Sequence, residues 1–124
     1  MNTPYDVVVV GLGAMGSSAL YQLSQRNLKV LGIDQFNPPH SFGSSHGDTR
    51  ITRQAIGEGK SYVPLVLRSY EIFEDIEKKT GKKLLEKVGG IIFGNAEAEA
   101  IHGKKNFIQN TIEAAEKYNI KHTI

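Results

Sequence analysis

The stretch that most restricts what this chain can become is "YDVVVVGLGAMG", residues 5–16. A β-branched run leads straight into Gly11, Gly13 and Gly16. From Val7 on both faces of the run are apolar, which is how a strand of a buried parallel sheet reads. "AMGSSALYQLSQRN" then sets Met15, Ala19, Leu20 and Leu23 at helical spacing, and Asn27 suits a left-handed cap. "LKVLGID", residues 28–34, is a second apolar strand. The pattern predicts strand, turn, helix and strand, joined by a right-handed parallel crossover.

A G-x-G-x-x-G spacing alone carries little. Here a strand precedes it, a helix opens on it, and Asp34 closes the next strand, 18 residues beyond Gly16. Each position then has a physical task. Gly11 makes the tight turn, Gly13 lets a pyrophosphate approach the backbone, and Gly16 lets helix and strand pack closely. The helix start offers free N–H groups and the positive end of its dipole. Asp34 can accept hydrogen bonds from ribose hydroxyls and repels a 2′-phosphate. The fold class is therefore α/β with a Rossmann-like βαβ unit that takes the ADP half of a dinucleotide. NADP is disfavoured, while NAD and FAD both stay open. The fourth residue after Gly16, often small in such folds, is Leu20. Either Ala19 takes up part of the packing or the helix tilts.

Further along, "QFNPPHSFGSS", residues 35–45, is a loop by composition. Residues 61–80 form the clearest long helix, with Val66, Tyr70, Phe73 and Glu77 on one stripe. Tyr62, Leu65, Ile72 and Ile76 widen its apolar face, and Gly81 ends it. Residues 83–95 read as two short strands around Gly89 and Gly90. "AEAEAIHGKKNFIQNTIEAAEKYN" is helical, with Gly103 a weak point, and "IKHTI" opens another strand. A last strand with nothing to complete its layer predicts a chain cut from a longer polypeptide.

"SSHGDTRITR", residues 44–53, is dense in polar chemistry. Ser45 and Asp48 have capping-box spacing. If Ser45 caps a short helix, His46, Arg50 and Arg53 lie at i, i+4 and i+7 on one face. Converging charged donors there would bind anions or polarise a ring. Arginine adds a planar fork for a carboxylate. The competing reading is a solvated basic turn. His40, beside two prolines, reads as a loop residue, and Tyr62 and Tyr70 as core or rim. His102 and His122 have no companions at metal-ligand spacing, so no metal is expected. Glu97 with Glu99, and Glu74, Asp75 and Glu77, read as solvated faces.

Composition excludes several classes. Net charge is +2 and apolar residues make up 40%, so the chain is globular and has no case for nucleic acid. There is no cysteine, hence no disulfide or thiolate site within it. No apolar run approaches the roughly 20 residues of a membrane span. No basic stretch leads into an apolar one as in a signal peptide. A cytoplasmic protein that meets no membrane is expected.

"DVVVVGLGAMGSSALYQL", "DQFNPPHSFGSSHGDTRITRQAIGEGKSYVPLVLRSYEIFEDIEKKTGKKL" and "GGIIFG" resemble the N-terminal part of the monomeric sarcosine oxidase and N-methyltryptophan oxidase family. Its members are FAD-dependent amine oxidases of the D-amino-acid-oxidase-like group. The glycine pattern is shared with many families; "PPH…GSSHGDTR…R…GEG…YVPL" is far more specific. The resemblance implies FAD as cofactor and oxidation of a small N-methyl amino acid by O2, giving H2O2. It implies that residues 1–82 begin the FAD-binding domain and 83–124 begin a mixed-sheet substrate domain. Gly11, Gly13 and Gly16, with Ala14 and Met15, would hold the pyrophosphate. Asp34, with Gln35, would take the adenosine ribose. Ser44, His46, Thr49 and Arg50 would lie toward the flavin, and Arg53 would bind the substrate carboxylate. His46, Arg50 and Arg53 would thus be the catalytic group. The family's covalent flavin attachment uses a cysteine, which this chain lacks. These residues alone are expected to be inactive and to self-associate.

Overall fold

The computed structural model describes residues 4–47, 49–94 and 106–124. The chain divides into two compact units, Met1–Arg50 and Ile51–Ile124.

The first unit is the expected βαβ motif. Strand β1 spans Val7–Val10, helix α1 Ala14–Ser24 and strand β2 Val30–Ile33. The strands are parallel, in register from Val7 with Val30 to Val10 with Ile33. Asp6 fixes that register at its lower end. Its N–H donates to the Lys29 carbonyl at 2.8 Å, and its Oδ2 accepts the Lys29 N–H at 2.7 Å. At the upper end the Gly11 N–H donates to the Ile33 carbonyl at 2.7 Å. Asn27 does adopt a left-handed conformation (φ 55°), two residues past the helix cap at Gln25.

Helix α1 packs on the sheet without spacer atoms at Gly16. A Cβ there would stand 1.7 Å from the Gly11 carbonyl oxygen and 3.4 Å from Val9 Cγ1. The large Leu20 is accommodated differently from expectation. Ala19 is exposed, and the room comes from β2. A Cβ at Gly32 would meet Leu20 Cδ2 at 2.6 Å and Leu12 Cδ2 at 3.0 Å. The small residue has moved from helix to strand, and the volume is conserved across the contact. The expectation of two covered faces fails among the described residues. Val7 and Val9 are half-buried, while Val8 and Val10 are exposed, Val10 by 80%.

In the second unit a short 3₁₀ turn, Lys60–Tyr62, runs into α2, Val63–Thr80. Pro64 suits its first turn, where no N–H partner is needed. Gly81 ends it in a left-handed conformation, its N–H donating to the Glu77 carbonyl at 2.8 Å. Helix α3 spans Phe107–Lys117. Among the described residues, the buried side chains of this unit are Val63, Phe107, Thr111, Ala114 and Ala115. Gly57 lies against α3 so closely that a Cβ would be 2.5 Å from Thr111 Oγ1. Tyr62 and Leu65 are exposed, so the apolar stripe of α2 is narrower than its periodicity predicts.

The three strands expected in this unit are absent among the described residues. Residues 82–94 form no strand. Side chains of α2 occupy their backbone groups instead: Glu77 Oε1 accepts the N–H of Leu84 at 2.6 Å and of Leu85 at 2.8 Å. Lys87 pairs with Glu74 at 2.6 Å. Glu74 and Glu77, expected only as a solvated face, also hold the following segment, while the Glu74 side chain stays 44% exposed. Residues 120–124 form no strand either. The Ile120 N–H closes back on the Ala115 carbonyl at 2.8 Å as the helix ends. The expected helical stretch before Asn106, with Gly103, His102, Glu97 and Glu99, lies outside the described residues.

Candidate functional site

The glycine turn and the end of β2 are joined by one carboxylate. Asp34 Oδ2 accepts the Leu12 N–H at 2.6 Å. Its Oδ1 accepts the Phe36 N–H at 2.9 Å, closing an Asx turn two residues on. His40 Nε2 stands 3.2 Å from the same Oδ1. The Phe36 N–H above all, then the Leu12 N–H, holds the carboxyl below its ordinary 3.8; partial burial opposes them and His40 adds to them. Asp34 is thus kept ionised and oriented before any ligand arrives.

Gly11 turns the chain at φ +89°, a conformation that favours glycine. Gly13 is the N-cap of α1, and Ala14, Met15 and Gly16 form its first turn. Met15 is 86% exposed, so its side chain packs on nothing and its backbone is what the turn offers. The Ala14 N–H donates to Ser45 Oγ at 3.1 Å. Ser17 Oγ donates back to the Gly13 carbonyl at 2.7 Å. A cleft of about 500 Å³ opens between these parts, lined among others by Leu12, Gly13, Asp34, His40, Ser44 and Ser45. That volume belongs to the class of small-molecule sites. Gln35 follows β2 directly and is exposed.

The polar stretch after the cleft is corrected. No helix forms among residues 44–47 and 49–53, and Asp48 lies outside the described residues. Ser45 does not cap a helix of its own; its hydroxyl caps α1. Arg50 folds back on its own loop, donating to the Ser44 carbonyl at 2.8 Å and the His46 carbonyl at 2.5 Å. Those side-chain bonds take the carbonyls that a helix would have used. His46 and Thr49 are exposed loop residues of the first unit.

Arg53 belongs to the second unit. It pairs with Glu58 Oε1 at 2.6 Å and lies over the Phe107 ring, 5.6 Å from its centroid. Its guanidinium is thus already paired with a carboxylate of its own unit. The pair is 40% and 31% exposed, so it is a shallow one.

Sequence reasoning gave His40 only as a loop residue, which it is, and did not foresee its contacts with Asp34, Phe36 and Phe42. It also gave Ser45 the wrong helix, because capping spacing says nothing about caps that come from distant chain. Among the described residues no group of His, Asp or Glu is arranged to hold a metal ion, and no helix is long and apolar enough to cross a membrane.

The sequence is also similar to known proteins. The family described as FAD dependent oxidoreductase matches residues 6–123. Monomeric sarcosine oxidase of Bacillus sp. (strain B-0618) is 47% identical over 97% of this chain. Its counterpart of Arthrobacter sp. (strain TE1826) is 46% identical over 94%. N-methyl-L-tryptophan oxidase of Yersinia pestis (strain Pestoides F) is 43% identical over 94%. The chain spans 28–29% of the length of these curated relatives. With the match running through the glycine turn, Asp34 and both units, the chain belongs to the FAD-dependent oxidoreductase family.

Proposed function

We propose that this chain carries the nucleotide-binding start of an FAD-dependent oxidase of N-methyl amino acids. The observation that carries the reading is the shared cleft, where an ionised, pre-oriented Asp34 faces the glycine turn and the start of α1. The residues present fit the ADP half of FAD. The cleft has the volume of a small-molecule site, a carboxylate suited to ribose hydroxyls, and a helix N-terminus suited to pyrophosphate. Family membership puts FAD ahead of NAD, the other cofactor that the glycine turn alone allows.

In this reading Gly11, Gly13, Ala14, Met15 and Gly16 hold the pyrophosphate through backbone groups. Ser45 gives up the Ala14 N–H when the anion arrives. Asp34 and Gln35 take the adenosine ribose. Ser44, Thr49, Arg50 and His46 serve the flavin end, and Arg50, kept over its own loop, supplies fixed positive charge. Arg53 exchanges Glu58 for the carboxylate of the substrate. A pair this exposed is worth about 0–1 kcal/mol, so the exchange costs little. A bound FAD would supply the two-electron acceptor for the amine oxidation, with O2 as the final oxidant, reduced to H2O2. The substrate loses two electrons and two protons across its C–N bond, and water hydrolyses the resulting imine.

The same reading gives residues 1–82 to the FAD-binding domain and 83–124 to the start of the substrate domain. These 124 residues by themselves neither turn over substrate nor stay monomeric. The support is their 29% coverage of the sarcosine oxidase relative and the exposure of Val10, Ile91 and Phe93. The test is peroxide release by the protein that carries this sequence, loaded with FAD and given sarcosine, N-methyltryptophan and other N-methyl amino acids. Peroxide from at least one of them is expected. Release from none, with FAD bound, removes the substrate class.

A further inference from the structure

His40 occupies a position that the cofactor reading leaves unexplained. Its ring sits with those of Phe36 and Phe42, at centroid distances of 5.1 and 5.9 Å. Its Nδ1 accepts the Phe42 N–H at 3.2 Å. A ring nitrogen that accepts carries no proton, so the proton is on Nε2. Nε2–H is then the donor toward Asp34 Oδ1, 3.2 Å away. The side chains of His40 and Asp34 are 17% and 10% exposed, and both line the cleft.

Counting acceptor directions gives this pair a consequence. Each oxygen of an ionised carboxylate offers two. On Asp34, Oδ1 takes the Phe36 N–H and the His40 Nε2–H, so it is filled. Oδ2 takes only the Leu12 N–H and keeps one direction open. A ribose carries two neighbouring hydroxyls, and a carboxylate with both oxygens open could accept both.

We propose that His40 is a positioning residue of the adenosine end of the cleft: by filling Oδ1 it leaves Asp34 a single acceptor, on Oδ2, for a single ribose hydroxyl. This rests on the reading of the cleft as an ADP-binding site. His40 acts through Asp34. It makes the acid selective for one hydroxyl.

The test is calorimetric titration of the apoprotein that carries this sequence with ADP, 2′-deoxy-ADP and 3′-deoxy-ADP. In the unaltered protein one deoxy compound is expected to bind about tenfold or more weaker than ADP and the other within about threefold of it. His40→Phe keeps a ring beside Phe36 and Phe42 but removes the donor. Oδ1 then opens, and the two deoxy compounds should become equal within about threefold. His40→Gln places an amide N–H in reach of Oδ1 and should restore the difference. A ¹⁵N spectrum should show His40 Nδ1 unprotonated. Equal binding of the two deoxy compounds by the unaltered protein, an unchanged difference in a folded His40→Phe, or a protonated Nδ1 overturns the proposal. If His40→Phe does not fold, the His40→Gln titration and the ¹⁵N spectrum decide. Should the unaltered apoprotein bind neither ADP nor FAD, the cofactor reading itself fails, a result distinct from the others.

Discussion

Asp34 Oδ2 and the Leu12 N–H meet at 2.6 Å, across 22 residues of chain. That one bond ties the end of β2 to the glycine turn, and it leaves the carboxylate facing the cleft. Asp34→Ala removes both the tie and the carboxylate proposed to take the ribose. In the protein that carries this sequence, FAD affinity measured by titrating apoprotein should fall about tenfold or more. Unchanged affinity would take Asp34 out of the site.

The pH behaviour of Asp34 follows from the same contacts. The folded carboxyl sits below 3.8 because the Phe36 and Leu12 N–H groups favour its ionised form. Its contribution to stability is thus present in full above the unfolded value and is lost as pH falls through the folded one. A carbonyl-carbon NMR titration should find the Asp34 midpoint below 3.8. Asp34→Asn should lessen the dependence of unfolding on acid. A midpoint at or above the ordinary value would mean that the two N–H bonds do not form in solution.

Leu20 and Gly32 should behave as one unit. Gly32→Ala places a methyl 2.6 Å from Leu20 Cδ2, and overpacking of this kind costs about 1–3 kcal/mol. Adding Leu20→Ala should recover part of that loss. Chemical denaturation of both single variants and the double variant measures the coupling, expected on the order of 1 kcal/mol. Strict additivity would show that helix and strand do not meet there.

The strand–turn–helix–strand core was legible because its signals are local. β-Branched runs, the three glycines and Asp34 each constrain their own few residues, and the parallel pairing of the two strands was expected from them. The polar stretch was not, because its partners come from elsewhere. Ser45 caps α1 from 31 residues away. Arg50 bonds its own loop carbonyls, and a helical projection cannot foresee that choice. Residues 83–95 read as two short strands around Gly89 and Gly90, yet strand pairing needs a partner strand, and Glu77 accepts the Leu84 and Leu85 N–H groups instead. His40 was legible only as a loop residue, since its role depends on an acid brought to it by the turn.

Arg53 and Glu58 give a kinetic expectation. Arg53→Ala should raise the apparent KM for N-methyl amino acids by roughly one to three powers of ten, with flavin content nearly unchanged. Glu58→Gln leaves Arg53 without its internal carboxylate partner. A carboxylate inhibitor should then bind at least as tightly as before. If Arg53→Ala binds that inhibitor as well as the unaltered protein, Arg53 is not the substrate carboxylate site.

The most direct test of the account is optical. The protein that carries this sequence is loaded with FAD, freed of oxygen and mixed with sarcosine or N-methyltryptophan. The account predicts that the visible absorption of oxidised flavin bleaches with at least one of them, and that air restores it with release of hydrogen peroxide. A protein that stays colourless after exposure to FAD, or a flavin band that no N-methyl amino acid bleaches, contradicts it.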